Sequence, residues 1–172
     1  MEAKDLLAKP INNTMKTKTF VERYFNLRYL KNNTYVFSHT NRLVLFGISK
    51  THEIFTLNKK IVKFDILFKI GDLDLQNLVS GKKKRGGVYV SPDMKLFSLT
   101  CDDSSVYILR SPIKGALIEI NPDILAGDFS NLQTDSEASG YIAIFNLPSY
   151  EYNVDKACKA YEETTLTNWN QI

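Results

Sequence analysis

The side chains whose types and spacing could do chemistry fall in a few places. Asp102-Asp103, inside the run Cys101-Asp102-Asp103-Ser104-Ser105, sets two carboxylates side by side where a cation could approach. Calcium takes roughly six to eight oxygens, so two carboxylates in a turn read more simply as a solvated tip. Cys101 borders this run and is expected to reach solvent, with neighbouring carboxylates raising its pKa and opposing thiolate chemistry. Cys158 falls on an apolar helical face and reads as a core thiol. The two cysteines form no C-x-x-C pair, so zinc and redox motifs are missing. His39 and His52 both lie in turn-like contexts and read as surface or structural histidines, not as catalytic bases.

Lys82, Lys83, Lys84 and Arg85 form the strongest interaction feature. Four cations in a row, bounded by Gly81 and Gly86-Gly87, repel one another and suit an acidic partner or a nuclear import receptor. The chain has no G-x-G-x-x-G, no P-loop and no H-E-x-x-H. With no assembled catalytic set, the expectation is a non-enzymatic protein with no cofactor, no catalytic residues and no metal site.

The elements that must position these residues come next. A length of 172 residues fits one domain with extended ends: an arm over 1–18, a folded unit over 19–148 and a helical segment over 149–172. No apolar run reaches the roughly 18 residues of a membrane span, and Met1–Pro10 lacks a signal-like apolar core. The chain is therefore expected to be soluble and intracellular, with no membrane partner. The net charge of +3 hides a split. Up to Arg85 there are 17 basic and 7 acidic residues; after it there are 5 and 12. Such a split suggests a basic surface for an acidic partner, unless the fold interleaves the halves and blurs it.

Thr19-Phe20-Val21-Glu22 has capping-box spacing, and Phe20, Tyr24 and Leu27 follow at helical intervals, which predicts a short amphipathic helix. From Thr34 the period becomes two. Strands are expected over 35–37, 42–48, 53–57, 60–70, 88–90, 94–100, 106–110 and 141–147. In the fourth of these, Val62, Phe64, Ile66, Phe68 and Ile70 share one face. Asp123–Leu125 reads as one helical turn. Val154, Ala157, Cys158 and Tyr161 predict a C-terminal helix. Many short strands without β-α-β alternation make a mainly β protein.

Ser111-Pro112-x-x-Gly115, the alternation through Glu119-Ile120-Asn121, and Gly140-Tyr141-Ile142 resemble the C-terminal half of the glycine cleavage system H protein and its lipoyl relatives. That resemblance implies a lipoyl-like barrel-sandwich hybrid, with a short leading helix and a C-terminal helix. In those carriers lipoate is carried on a lysine at a hairpin tip, which should fall near Ser104. No lysine stands there, and Lys114 belongs to a different turn. A carrier or accessory role is the alternative this disfavours.

A wider resemblance, to the Abitram (Simiate) family of actin-binding transcription modulators, rests on five blocks. They are Val21-Glu22-Arg23-Tyr24-Phe25, Ser38-His39-x-Asn41-Arg42, Val79-Ser80-Gly81-Lys82-x-Lys84-Arg85-Gly86, Gly115-x-Leu117-Ile118-Glu119-Ile120-Asn121 and Gly140-Tyr141-Ile142-Ala143. It implies a non-enzymatic protein that binds actin, as monomer or filament, and modulates filament assembly and transcription. It also implies nuclear speckles, cytoplasm and cell protrusions as its places. A nucleic-acid-binding nuclear factor is a further alternative. The acidic second half and the lack of a reading motif weigh against it.

Overall fold

The computed structural model describes residues 25–68 and 88–148. The arm 1–18, the opening residues of the expected N-terminal helix, the Lys82–Arg85 run, and the segment 149–172 with its expected helix and Cys158 lie outside the described residues.

In chain order the described elements are β1 (Phe25–Tyr29), β2 (Thr34–His39), β3 (Leu43–Ile48), α1 (Glu53–Thr56), β4 (Ile61–Ile66), β5 (Val88–Val90), β6 (Lys95–Cys101), β7 (Val106–Arg110), β8 (Gly115–Ile120), α2 (Pro122–Leu125), α3 (Ser130–Thr134) and β9 (Ala143–Asn146). They form two antiparallel sheets. The larger has the order β1-β2-β3-β9-β8-β5, the smaller β4-β6-β7. The order explains why the stretch Ser111–Asn121 and the later Ile142–Phe145 run together. Leu117 pairs with Phe145 and Ile120 with Ala143, with a bulge between Leu117 and Glu119.

The expected barrel-sandwich hybrid is not what forms. Among the described residues β1 and β5 end the larger sheet, β4 and β7 end the smaller, and no ladder closes either sheet or joins the two. A barrel needs its first and last strands hydrogen-bonded with a matching stagger. Here two open sheets share a core instead. Val36, Val44, Phe46, Leu117 and Phe145 come from one sheet, and Ile61, Leu96, Phe97, Leu99 and Leu109 from the other, in a single cluster. Each such fully buried aliphatic or aromatic side chain contributes roughly 1.5–3 kcal/mol.

Three local expectations also change. Phe25–Tyr29, expected to finish a helix, is a strand whose residues pair with Tyr35–His39 of β2. The β-branched and aromatic content of its partner strand offers a ladder that outweighs weak helical periodicity. Glu53–Leu57, expected as a strand, is instead the single turn α1. The Nδ1 of His52 accepts from the Ile54 amide at 3.2 Å, and Glu53 stands in the first turn where the helix dipole favours a negative charge. In β4 a register shift between Ile61 and Lys63 turns Val62 outward, 57% exposed, so it leaves the face expected to hold it with Phe64 and Ile66.

Candidate functional site at the β6–β7 hairpin tip

Residues Cys101–Ser105 form the tip joining β6 and β7. Ser104 has a φ of 66°, and its amide donates to the Cys101 carbonyl at 3.0 Å. The Cys101 amide donates to the Ser105 carbonyl at 2.9 Å. Asp103 shapes the turn from inside, accepting from the Ser105 amide at 3.0 Å and from the Ser105 hydroxyl.

A lysine does reach this tip, from elsewhere in the chain. Lys59 lies in the turn between α1 and β4, where Asn58 has a φ of 51°. That turn is fastened to the hairpin by two hydrogen bonds between Asp102 and Lys60. Asp102 donates its amide to the Lys60 carbonyl at 2.9 Å, and its carboxylate accepts the Lys60 amide at 3.2 Å. The Lys59 ammonium then donates to the Asp103 carboxylate at 2.8 Å, to the Tyr107 hydroxyl at 2.9 Å and to the Ser105 hydroxyl at 3.1 Å. All three of its protons are used. Its nitrogen also lies 5.2 Å from the Tyr107 ring centre.

The electrostatics follow from that geometry. The hydrogen bond to Asp103, then that to Tyr107, raises the Lys59 pKa well above the ordinary lysine value. The bond from Lys59, then the bonds from Ser105, hold the Asp103 carboxyl well below the usual carboxylate range. Acylation of an amine needs its lone pair, and this ammonium keeps its proton and has each N–H engaged. The arrangement ties two turns together and offers no free amine at Lys59.

The other singled-out residues are structural. Cys101 is buried, not exposed as expected, and burial is the first cause of its raised pKa. His52 is buried beneath Tyr107, their ring centres 5.0 Å apart, and burial lowers its pKa. Its capping role needs an unprotonated Nδ1, which the lowered pKa favours. His39 ends β2, accepts from the Asn41 amide through Nδ1 at 3.2 Å and lies against Phe25. Ser111 is fully buried, its hydroxyl donating to the Ile113 carbonyl at 2.7 Å. Gly115 opens β8, where an added Cβ would stand 2.7 Å from the Asn146 carbonyl oxygen. Asn121 is buried, caps α2 by accepting from the Asp123 amide at 3.0 Å, and donates to the Ser139 and Tyr141 carbonyls.

Asp102 and Asp103 therefore come together with a lysine that sequence spacing did not reveal. Lys59 is 44 residues before Asp103 in the chain, and only the β4–β6 pairing brings it near. Among the described residues no group of three or more His, Cys, Asp or Glu side chains could hold a metal ion.

No protein-family model matches the chain. Curated relatives do. It is 34% identical to Protein Abitram of Dictyostelium discoideum over 137 residues, covering 74% of each chain. It is 31% identical to Protein Abitram of Danio rerio over 143 residues, covering 79% of this chain and 80% of the relative. The human Protein Abitram is 30% identical over 140 residues, 77% of this chain and 76% of the relative. Among solved structures, a glycine cleavage system H protein from Mycobacterium marinum aligns with a TM-score of 0.49 and 17% identity, over 76% of this chain and 95% of that one. The breadth and identity of the curated matches settle the affiliation: this chain belongs to the Abitram family.

Proposed function

We propose that the protein is a non-enzymatic binding protein that associates with actin and modulates filament assembly and transcription. The observation that carries this reading is family membership at 34% identity across three quarters of the chain. The occupied ammonium of Lys59 supports it from the side of chemistry, because this amine at the hairpin tip is engaged in holding the fold. We place partner contact or nuclear import at Lys82, Lys83, Lys84 and Arg85, where charge density is highest. The protein would then work in the nucleus, including speckles, and in the cytoplasm and cell protrusions.

The test is co-sedimentation with filamentous actin over a salt series, with wild type and a variant carrying alanine at 82–85. The expected result is pelleting that weakens as salt rises, since a Debye length of about 10 Å at 0.1 M screens an exposed basic patch. A variant that pellets as well as wild type removes the site assignment. A wild type that stays in solution at low ionic strength removes the function.

A further inference from the structure

Serine followed by proline occurs twice in the sequence, at Ser91-Pro92 and Ser111-Pro112. The fold treats the two pairs oppositely. Ser111 is fully buried, its hydroxyl donates to the Ile113 carbonyl at 2.7 Å, and Pro112 is buried beside it. Ser91 and Pro92 are both exposed, in the turn that leads from β5 to β6.

That turn is closed by the backbone of Ser91 and leaves its hydroxyl outside. The Ser91 carbonyl accepts from the Met94 amide at 3.2 Å, Pro92 takes the second position, and Asp93 takes the third with a φ of 65°. This is the pattern of a type II turn, where proline suits the second position and the third needs a positive φ. The anchoring bonds are made further along. The Asp93 amide donates to the Ser111 carbonyl at 3.0 Å, and the Ser111 amide donates to the Met94 carbonyl at 2.8 Å. Arg110 donates to the Asp93 carbonyl at 2.9 Å and to its carboxylate at 3.3 Å. Upstream, β5 has β8 as its one neighbour among the described residues, and Tyr89 is 57% exposed. Ser91 thus follows an extended edge strand, and protein kinases take their target residue within an extended segment.

We propose that Ser91 is a phosphorylation site for a protein kinase that selects serine followed by proline. In the reaction the Ser91 hydroxyl oxygen attacks the terminal phosphorus of ATP. The new O–P bond forms as the bond to the bridging oxygen of ADP breaks, and the hydroxyl proton passes to the catalytic carboxylate of the kinase. The product carries a charge of about −1.5 to −2 at pH 7 where a neutral hydroxyl stood. The position gives that charge a consequence. The Ser91–Met94 turn is the direct crossing from the larger sheet to the smaller one, and its bonds to Ser111 join it to the crossing back from β7 to β8. The modification is a charge switch at a corner where the sheets are joined, two residues from a carboxylate that Arg110 already holds. This inference does not depend on the actin reading.

The test treats the full-length folded protein with a purified proline-directed kinase of the mitogen-activated class and magnesium ATP. Intact mass should rise by one phosphoryl group, and fragment spectra should place it on Ser91. Ser91→Ala should abolish the gain. Pro92→Ala should react about tenfold or more slowly. Loss of this proline loosens the turn, so a slower reaction reports recognition of the proline and not access. A peptide of residues 88–97 is treated alongside. A modified peptide with an unmodified folded protein overturns the proposal, and so does a failure of both to react. Phosphate on Ser111 in place of Ser91, or a Ser91→Ala protein that gains phosphate as wild type does, overturns it as well.

Discussion

At the scale of single residues, Lys59 and Asp103 carry the clearest consequence. Asp103 has a depressed carboxyl pKa in the folded protein, first because of the Lys59 bond and then the Ser105 bonds. A depressed carboxyl stabilises the fold above its unfolded pKa, about 3.9, and that contribution is lost as pH falls through the folded value. The carboxyl resonance of Asp103 in an NMR titration should therefore stay ionised below pH 4, and in Lys59→Met its midpoint should move back toward the ordinary range. An unchanged midpoint would mean that the 2.8 Å contact is not maintained in solution. His52 runs in the same direction by another cause. Its pKa is lowered by burial, so the unfolded chain binds the extra proton more readily than the native one. The sign follows: stability present above about pH 6.5 falls as pH drops below it. Urea melts at pH 7.5 and 5.5 should show this loss, and His52→Asn, which keeps an N-cap acceptor, should shrink it.

At the scale of elements, the loop between β8 and β9 is held by contacts that only a long connection can make. The buried Tyr35 hydroxyl donates to the Ser136 carbonyl at 2.7 Å, across 101 residues. Glu137 takes the Lys50 amide at 3.2 Å, the Tyr29 hydroxyl at 3.2 Å and the Ser49 hydroxyl at 3.4 Å. Tyr35→Phe should cost about 1 kcal/mol, seen as a Tm lower by roughly 2–4 °C. Gly140→Ala should cost more, roughly 1–3 kcal/mol, because its Cβ would stand 2.5 Å from the Asn131 carbonyl oxygen and 2.7 Å from the Leu132 Cα. Backbone atoms cannot step aside as a side chain could. A melt unchanged by Gly140→Ala would contradict this packing.

The same elements mark how far a sequence can be read. Val106–Arg110 and Val88–Val90 appear at the expected residues, and the bounds of most other strands move by one or two. Period-two alternation is a local signal, and these strands obey it. The turn α1 was hidden because Ile54 and Phe55 read equally well as strand, and the deciding bond comes from the side chain of His52. β1 was hidden because its ladder to β2 is tertiary. Lys59 could not be placed at the tip by counting along the chain. Its position depends on the pairing of β4 with β6, and on the Asp102–Lys60 hydrogen bonds that fasten the two turns. The open form of the sheets was invisible for a related reason. Strand patterns give the number of strands, whereas closure depends on which edges meet.

At the scale of the whole molecule, the two halves of the sequence are interleaved among the described residues. Residues 115–148 hold five acids and no lysine or arginine, yet β9 from that stretch lies between β3 and β8. Glu137 from the same stretch reaches the β3–α1 connection. The contiguous run Lys82–Arg85 is the densest positive charge in the sequence. Neither the carrier alternative nor the nucleic-acid alternative has a supporting side chain among the described residues: the tip lysine is engaged, and the described strands carry no stacked exposed aromatic series of the kind that reads single strands. The chain belongs to the Abitram family, and actin is the partner that the proposed reading names. The most direct measurement is high-speed pelleting of the full-length protein with filamentous actin at low ionic strength. It should co-sediment in a saturable way, Lys59→Ala should pellet as wild type does, and alanine at 82–85 should leave most of the protein in solution. A wild-type protein found wholly in the supernatant at every actin concentration would contradict the account.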